Sequence, residues 1–213
     1  MKLTKLRHAC VRLEKGESTL VIDPGSFSEE AALDGADVVL ITHEHFDHVD
    51  SDRLRTAAAA NPSLEIWTNE SVAALLTDVP AKIQVVRHGD AFDTAGFGVK
   101  VIGERHAPVH PDIPIIRNTG FLVDEEVFYP GDAFTPPGVE VPTLLVPTNA
   151  PWMKGLEMIA YLREVRPARA FSTHDGLLND IGLGIIDQWL KLESDKQKAD
   201  MRRLKPGESV TLP

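Results

Sequence analysis

The sequence predicts an α/β fold in a single domain spanning residues 1–213, and three observations carry that prediction. Short apolar or β-rich runs alternate with segments of helical spacing along most of the chain. No Ser/Gly-rich linker, charge block or short-period repeat divides it. With 213 residues and 43 % hydrophobic content, it is long enough to bury roughly 70 % of its unfolded surface around one core. Such a domain needs neither disulfide nor metal to fold, so a bound metal would serve chemistry.

The opening KLTKLRHACVRLEKGESTLVIDPG alternates apolar and polar residues, breaks at EKGES and resumes in TLVID. This reads as a hairpin ending at Asp23, Pro24 and Gly25. ADVVLITH, LEIWTN and KIQVVRHG read as strands. Between them, SDRLRTAAAA and NESVAALLT have helical spacing, with Asp, Ser or Asn near their starts. The second half opens with strands in GVKVIGERH, NTGFLVDEEVFYPGD and TLLVPTN, then a helix in WMKGLEMIAYLREVRP and a strand in ARAFSTHD. One long amphipathic helix is expected over residues 180–204, and the tail GESVTLP reads as a last strand. The two halves share a similar plan.

Composition narrows the partners. The formal charge of −10 repels phosphate backbones and anionic lipid, which counts against nucleic acid as a partner, although a metal site would supply local positive charge. The single cysteine, Cys10, has no partner for a disulfide and reads as apolar packing. The N-terminus lacks the apolar core of a secretory signal, and no run of about 18 apolar residues occurs, so a cytoplasmic protein without a membrane span is expected. The expected partner is a small-molecule substrate.

The stretch VVLITHEHFDHVDSDRL places His43, His45, Asp47 and His48 within six positions directly after an apolar run. Burying imidazole and carboxylate without partners is costly, and a divalent cation removes that cost. His43 and His45 alternate with Glu44, so both rings can converge on one ion while Glu44 points elsewhere; Asp47 and His48 follow where a helix begins near Asp50. The plain alternative is a solvated His-rich turn. His106, Asp132 and His174 each also follow an apolar run, and Gly131 lets the backbone approach closely before Asp132. Singly, each would pass as a packing or turn residue. Their joint order points to one site.

That order resembles the metallo-β-lactamase superfamily of metal-dependent hydrolases. The resemblance spans essentially the whole chain, from VIDPG through THEHFDH, the His of GERHAPVH and the Asp of YPGD to the His of FSTHD. Within the superfamily the chain looks most like the compact branch that includes the ascorbate-6-phosphate lactonase-like proteins, through HACV, HAPVHPDIP and PTNAPW. The resemblance implies a four-layer αββα sandwich, two mixed sheets between outer helices, with the site at the sheet edges. It implies a first metal on His43, His45 and His106, a second on Asp47, His48 and His174, and Asp132 bridging the two. The implied cofactors are two divalent ions, Zn2+ first, with Mn2+ or Fe2+ as alternatives; position 45 lacks the glutamate of the diiron relatives, which favours zinc. Asp23 is expected to orient the THEHFDH loop or a ligand imidazole, against the alternative that it merely ends a strand.

The expected chemistry is hydrolysis of a small-molecule lactone, ester or phosphoester by a metal-bridged hydroxide, with Asp47 orienting it and carrying its proton. The alternative is a scaffold or sensor of the same fold that binds metal without turnover, against which stands the presence of all seven ligand residues. His8, His110, Asn149 and Trp152 lie near the motifs and are candidates for supporting the ligands or touching substrate. His88 reads as a surface turn. Neither a phosphate-binding Gly-rich loop nor a G-x-S-x-G elbow is present.

Overall fold

A computed structural model describes residues 1–213. The first strands are β1 (Lys2–Lys5), β2 (Val11–Lys15) and β3 (Ser18–Ile22), followed by a 3-10 turn at Glu30–Leu33 and β4 (Val38–Ile41). Then come α1 (Ser51–Ala60), β5 (Glu65–Thr68), α2 (Glu70–Leu75) and β6 (Lys82–Val85). The second half contains β7 (Ala91–Thr94), β8 (Phe97–Ile102), β9 (Gly120–Val123), β10 (Val127–Tyr129) and β11 (Thr143–Pro147). The chain ends with α3 (Gly155–Val165), β12 (Arg169–Thr173), α4 (Asp180–Gln197), β13 (Asp200–Arg202) and β14 (Ser209–Thr211).

These strands form two seven-stranded sheets, ordered β14-β1-β2-β3-β4-β5-β6 and β13-β12-β11-β10-β9-β8-β7. In the first, β14 through β3 pair antiparallel and β3 through β6 parallel. In the second, β7 through β10 pair antiparallel and β10 through β13 parallel. Both sheets are therefore mixed and built to one plan, and the C-terminal strand crosses back to the first.

Side-chain alternation creates the layers. In β4, Val38 and Leu40 face the core between the sheets, together with Phe97, Phe121, Leu145 and Phe171 of the second sheet. Val39 and Ile41 face the other way and pack with Leu54 and Ala58 of α1 and Val72 of α2. The outer face of the second sheet meets α3 and α4 in the same manner, with Leu144 and Ala170 against Met158, Leu162, Ile186 and Leu190. This is the αββα sandwich, and it explains why β4 reads as an unbroken apolar run. The first two helices start at the expected polar residues, Asp50 accepting from the Arg53 amide and Asn69 from Ser71 and Val72, and the last is capped in the same way by Asn179, which accepts from Gly182.

Two elements differ from the sequence expectation. The helix expected to run to residue 204 stops at Gln197, where Lys198 turns into the left-handed region at φ 59° and the chain enters β13. There Met201 and Leu204 are buried and extend the outer and inter-sheet cores, respectively. Sheet pairing with β12 overrides the helical propensity of those residues. β7, short and only partly buried, is not among the strands expected from the sequence; it pairs with β8 through a turn at Ala95 and Gly96 and packs Phe92 against the inter-sheet core.

The inter-sheet core supports everything above it. Replacing buried Phe171 with alanine should cost about 3–5 kcal/mol, seen as a lower urea midpoint with an unchanged slope.

Candidate metal centre

The carboxyl ends of β3, β4, β8, β10 and β12 lie at one edge of the sandwich, the usual place for a ligand in layered α/β structures. Asp23 follows β3; His43, His45, Asp47 and His48 follow β4; His106, Asp132 and His174 follow β8, β10 and β12. The turn that presents Asp132, Pro130-Gly131-Asp132, depends on its glycine. Gly131 has φ 67°, and a Cβ there would fall 2.3 Å from Asn118 Oδ1 and 2.9 Å from Thr42 Cβ, so only glycine fits.

All seven residues converge. His43, His45, His106 and Asp132 bring one coordinating atom each within 4.8 Å of the others, as do His48, Asp132 and His174. Asp132 belongs to both groups, its Oδ1 lying 3.4 Å from His48 Nε2 and its Oδ2 3.1 Å from His174 Nε2 and 3.5 Å from His106 Nε2. Asp47 Oδ2 stands 3.2 Å from His174 Nε2 and 3.8 Å from His48 Nε2. His43 Nε2 and His45 Nδ1 are 3.1 Å apart.

Four of the imidazoles are held by their outer nitrogen. His43 Nδ1 meets Thr42 Oγ1 at 2.9 Å, and that hydroxyl in turn donates to Asp23 Oδ2, so it receives the His43 proton. His48 Nδ1 donates to Asp23 Oδ2 at 2.6 Å, His106 Nδ1 to the Ala107 carbonyl at 2.6 Å, and His174 Nδ1 to the Asn149 carbonyl at 2.6 Å. Each bond fixes ring orientation and aims Nε2 at the cluster, the arrangement that metal-ligating histidines adopt.

The electrostatics match this geometry. Burial, reinforced by neighbouring imidazoles, pushes His43 well below its ordinary value, and burial likewise lowers His45. Burial opposes charge on His174 too, but hydrogen bonds to Asp132 and Asp47 outweigh it and push the group up to about 10. His48 moves in the same direction, because Asp132 and Asp23 overcome its burial. Burial raises both carboxylates, yet charge and hydrogen bonds from the histidines win and hold Asp47 and Asp132 below the usual range. Three buried atoms, His48 Nε2, His106 Nε2 and Asp132 Oδ1, have no hydrogen-bond partner. Buried polar atoms are almost always paired, and these three gather at one carboxylate, His48 Nε2 lying 3.4 Å from Asp132 Oδ1 and His106 Nε2 3.5 Å from Asp132 Oδ2. A tetrahedral zinc ion with bonds of about 2.1 Å sets its ligand atoms about 3.4 Å apart, close to the spacings present, so the residues fit a divalent cation.

Residues 2–174 match the Beta-lactamase superfamily domain. The chain belongs to the metallo-β-lactamase superfamily. Protein Rv0786c of Mycobacterium tuberculosis is 38 % identical over 191 residues, covering 87 % of this chain and 89 % of that protein. A UPF0173 metal-dependent hydrolase of Xanthobacter autotrophicus is 32 % identical over 151 residues, covering 62 % of each chain. Among solved structures, Igni18, a metallo hydrolase from Ignicoccus hospitalis, superposes with a TM-score of 0.76 at 21 % identity, covering 100 % of this chain and 98 % of that one.

Around this His/Asp cluster the remaining candidates separate. Asp23 is fully buried and accepts from Thr42 N, Thr42 Oγ1 and His48 Nδ1, so its carboxylate ties the loop after β4 and one imidazole ring together. Trp152 Nε1 donates to Asp132 Oδ2 at 2.9 Å. Asn149 contributes its carbonyl to His174. His8 contacts Asp47 at 3.0 Å. His110 is exposed and caps its own loop through the Asp112 amide, without contact to the cluster. His88 is exposed, as expected, and accepts from the Gly103 amide. The sequence reading overlooked Thr42, Asn118 and Asn69. Asn118 receives the Asp132 amide and donates to the Pro130 carbonyl, and Asn69 donates to the Thr42 carbonyl. Only the position of Thr42 beside His43 could have flagged one of them. No helix is long and apolar enough to cross a membrane.

The Asp23 contacts make a direct prediction. Asp23→Asn keeps the shape but cannot accept all three bonds, so metal affinity should fall about 10–100-fold in chelator competition, with the circular dichroism spectrum unchanged.

Proposed function

We propose that the chain is a hydrolase that holds two divalent ions, Zn2+ first among them, and adds water to a small-molecule lactone, ester or phosphoester. The observation that carries this reading is the outward anchoring of four imidazoles by Nδ1, which turns four Nε2 atoms toward the Asp47 and Asp132 carboxylates. His43, His45 and His106 are assigned to one ion, Asp47, His48 and His174 to the other, and Asp132 to both. Nitrogen and oxygen donors without thiolate suit zinc, with Mn2+ or Fe2+ also accommodated; Cys10 is buried and absent from every cluster. The names carried by the Xanthobacter relative and by Igni18, a metal-dependent hydrolase and a metallo hydrolase, support the reaction class.

When bound, divalent ions supply Lewis acidity at a carbonyl or phosphoryl oxygen and lower the pKa of water toward neutrality. The chain's own residues then have defined tasks. Asp47, held ionised by His174 and His8, accepts a hydrogen bond at its carboxylate and orients the nucleophile more readily than it stores a proton. Trp152 and Asn118 keep Asp132 in place, one through the carboxylate and the other through the backbone amide.

Metal content tests the reading. Protein purified without added metal should carry close to two equivalents per chain. Asp132→Ala should lose both metal and hydrolysis, while exposed His88→Ala should lose neither. Hydrolysis by metal-depleted protein would contradict the mechanism; full loading with no turnover on any lactone, ester or phosphoester would favour a scaffold or sensor.

Proton release offers a second test. His174, raised to about 10, carries a proton at pH 7 in the ion-free protein. A metal ion takes the same Nε2, so binding must release it, and affinity rises with pH between 7 and 10. Calorimetric titration in buffers of different ionisation enthalpy should show at least one proton released per chain. Zero release would place His174 outside the coordination set.

A further inference from the structure

His8, Asp47 and His174 form a third group with ligand spacing, yet His8 has no place in the ligand set proposed above. Its loop joins β1 to β2, and Arg7, at φ 72°, turns the chain so that the His8 ring is buried beside the His174 ring, 4.1 Å between centroids. Spacing alone would make it an additional ligand. Its hydrogen bonds exclude that role.

The four anchored ligand imidazoles give their Nδ1 proton to an oxygen and aim Nε2 inward. His8 is wired in the opposite sense. Its Nδ1 receives the Gly176 amide proton at 3.1 Å, so that nitrogen carries a lone pair. The ring proton therefore sits on Nε2, which faces Asp47 Oδ2 at 3.0 Å and donates to it. A nitrogen that bears a proton has no lone pair to offer a metal.

We propose that His8 is a positioning residue for Asp47: its Nε2–H occupies one lone pair of Oδ2 and fixes the plane of the carboxylate, leaving the remaining lone pairs for the second ion. This rests on the two-ion reading of the site. The contact is built into the fold from both sheets. A Cβ on Gly176 would fall 3.0 Å from His8 Nδ1 and 3.1 Å from its Cβ, a tight contact that glycine avoids where the loop after β12 brings its amide to the ring. The His174 amide donates to the His8 carbonyl at 2.9 Å. Beneath them, buried Lys5 donates to the Ser172 carbonyl at 2.7 Å and pairs with Asp175 at 3.0 Å, which holds the same loop against β1. Asp47 is thereby tied through one imidazole to a junction between the first and second sheets.

The experiment compares wild-type protein with His8→Phe, His8→Gln and Gly176→Ala, using chelator competition with zinc and the visible spectrum of the cobalt-loaded proteins. His8→Phe keeps a ring beside His174 and beside Phe27, whose ring centroid lies 5.3 Å from that of His8, but removes the donor. His8→Gln returns an N–H near the Nε2 position. The second equivalent of zinc should bind about 10–100-fold more weakly in His8→Phe, with the first unchanged, and His8→Gln should recover most of the loss. Gly176→Ala should fall between them. Because His8 is not a ligand, cobalt-loaded His8→Gln should keep the wild-type spectrum. Two ions bound at full affinity by His8→Phe would overturn the proposal while leaving the two-ion reading intact. So would a His8→Gln protein as weak as His8→Phe with an altered cobalt spectrum, the signature of a lost nitrogen ligand. Wild-type protein that takes up a single ion overturns the two-ion reading, and this proposal with it.

Discussion

The outward hydrogen bonds of four histidines constrain the rest of this structure. His43, His48, His106 and His174 each give an Nδ1 proton to an oxygen whose place the fold has already set: Thr42 Oγ1, Asp23, the Ala107 carbonyl and the Asn149 carbonyl. Without those acceptors the rings would be free to turn and satisfy their inner nitrogens elsewhere. With them, the inner nitrogens and two carboxylates can only face one another. An unpaired buried polar atom costs about 1–3 kcal/mol, and three such atoms meet at this centre. A cation that binds them gains from relieving that cost, so metal affinity and folding stability are coupled through the same atoms.

The centre also belongs to neither sheet alone. Asp23, Thr42, His43 and His48 come from the first sheet, and His106, Asp132 and His174 from the second. The inter-sheet core of Leu40, Phe121, Leu145 and Phe171 is thus the platform that holds the two halves in register. Close to the site the sheets are tied again by polar contacts. Tyr129, buried on β10, donates to the Ala9 carbonyl at 2.9 Å, and Lys5 on β1 pairs with Asp175 after β12. Such bonds between buried partners specify one arrangement more than they add net stability.

Much of this was legible in the sequence, for identifiable reasons. β4 is an unbroken apolar run because both its faces are covered, and the residues after it announce themselves by composition: three histidines and an aspartate have no packing rationale. His106, Asp132 and His174 were legible only as a set, since each is ordinary in its own neighbourhood. The supporting contacts were far less visible. Ala107 and Asn149 act through carbonyls, which any residue could supply, and Asn118 looks like a loop asparagine until the turn at Gly131 brings it against Asp132. β13 was hidden because its residues continue a helical pattern that sheet pairing overrides. Asp23 was expected to hydrogen-bond the loop or an imidazole, and it accepts from Thr42 and His48, whereas the His8 ring takes its hydrogen bond from the amide of Gly176, 168 residues away in sequence.

Anomalous diffraction at the zinc edge from crystals of the metal-loaded protein tests the two-ion centre most directly. Two peaks are predicted, one surrounded by His43, His45 and His106, the other by Asp47, His48 and His174, with Asp132 touching both. A single peak, or peaks away from these seven residues, would contradict it.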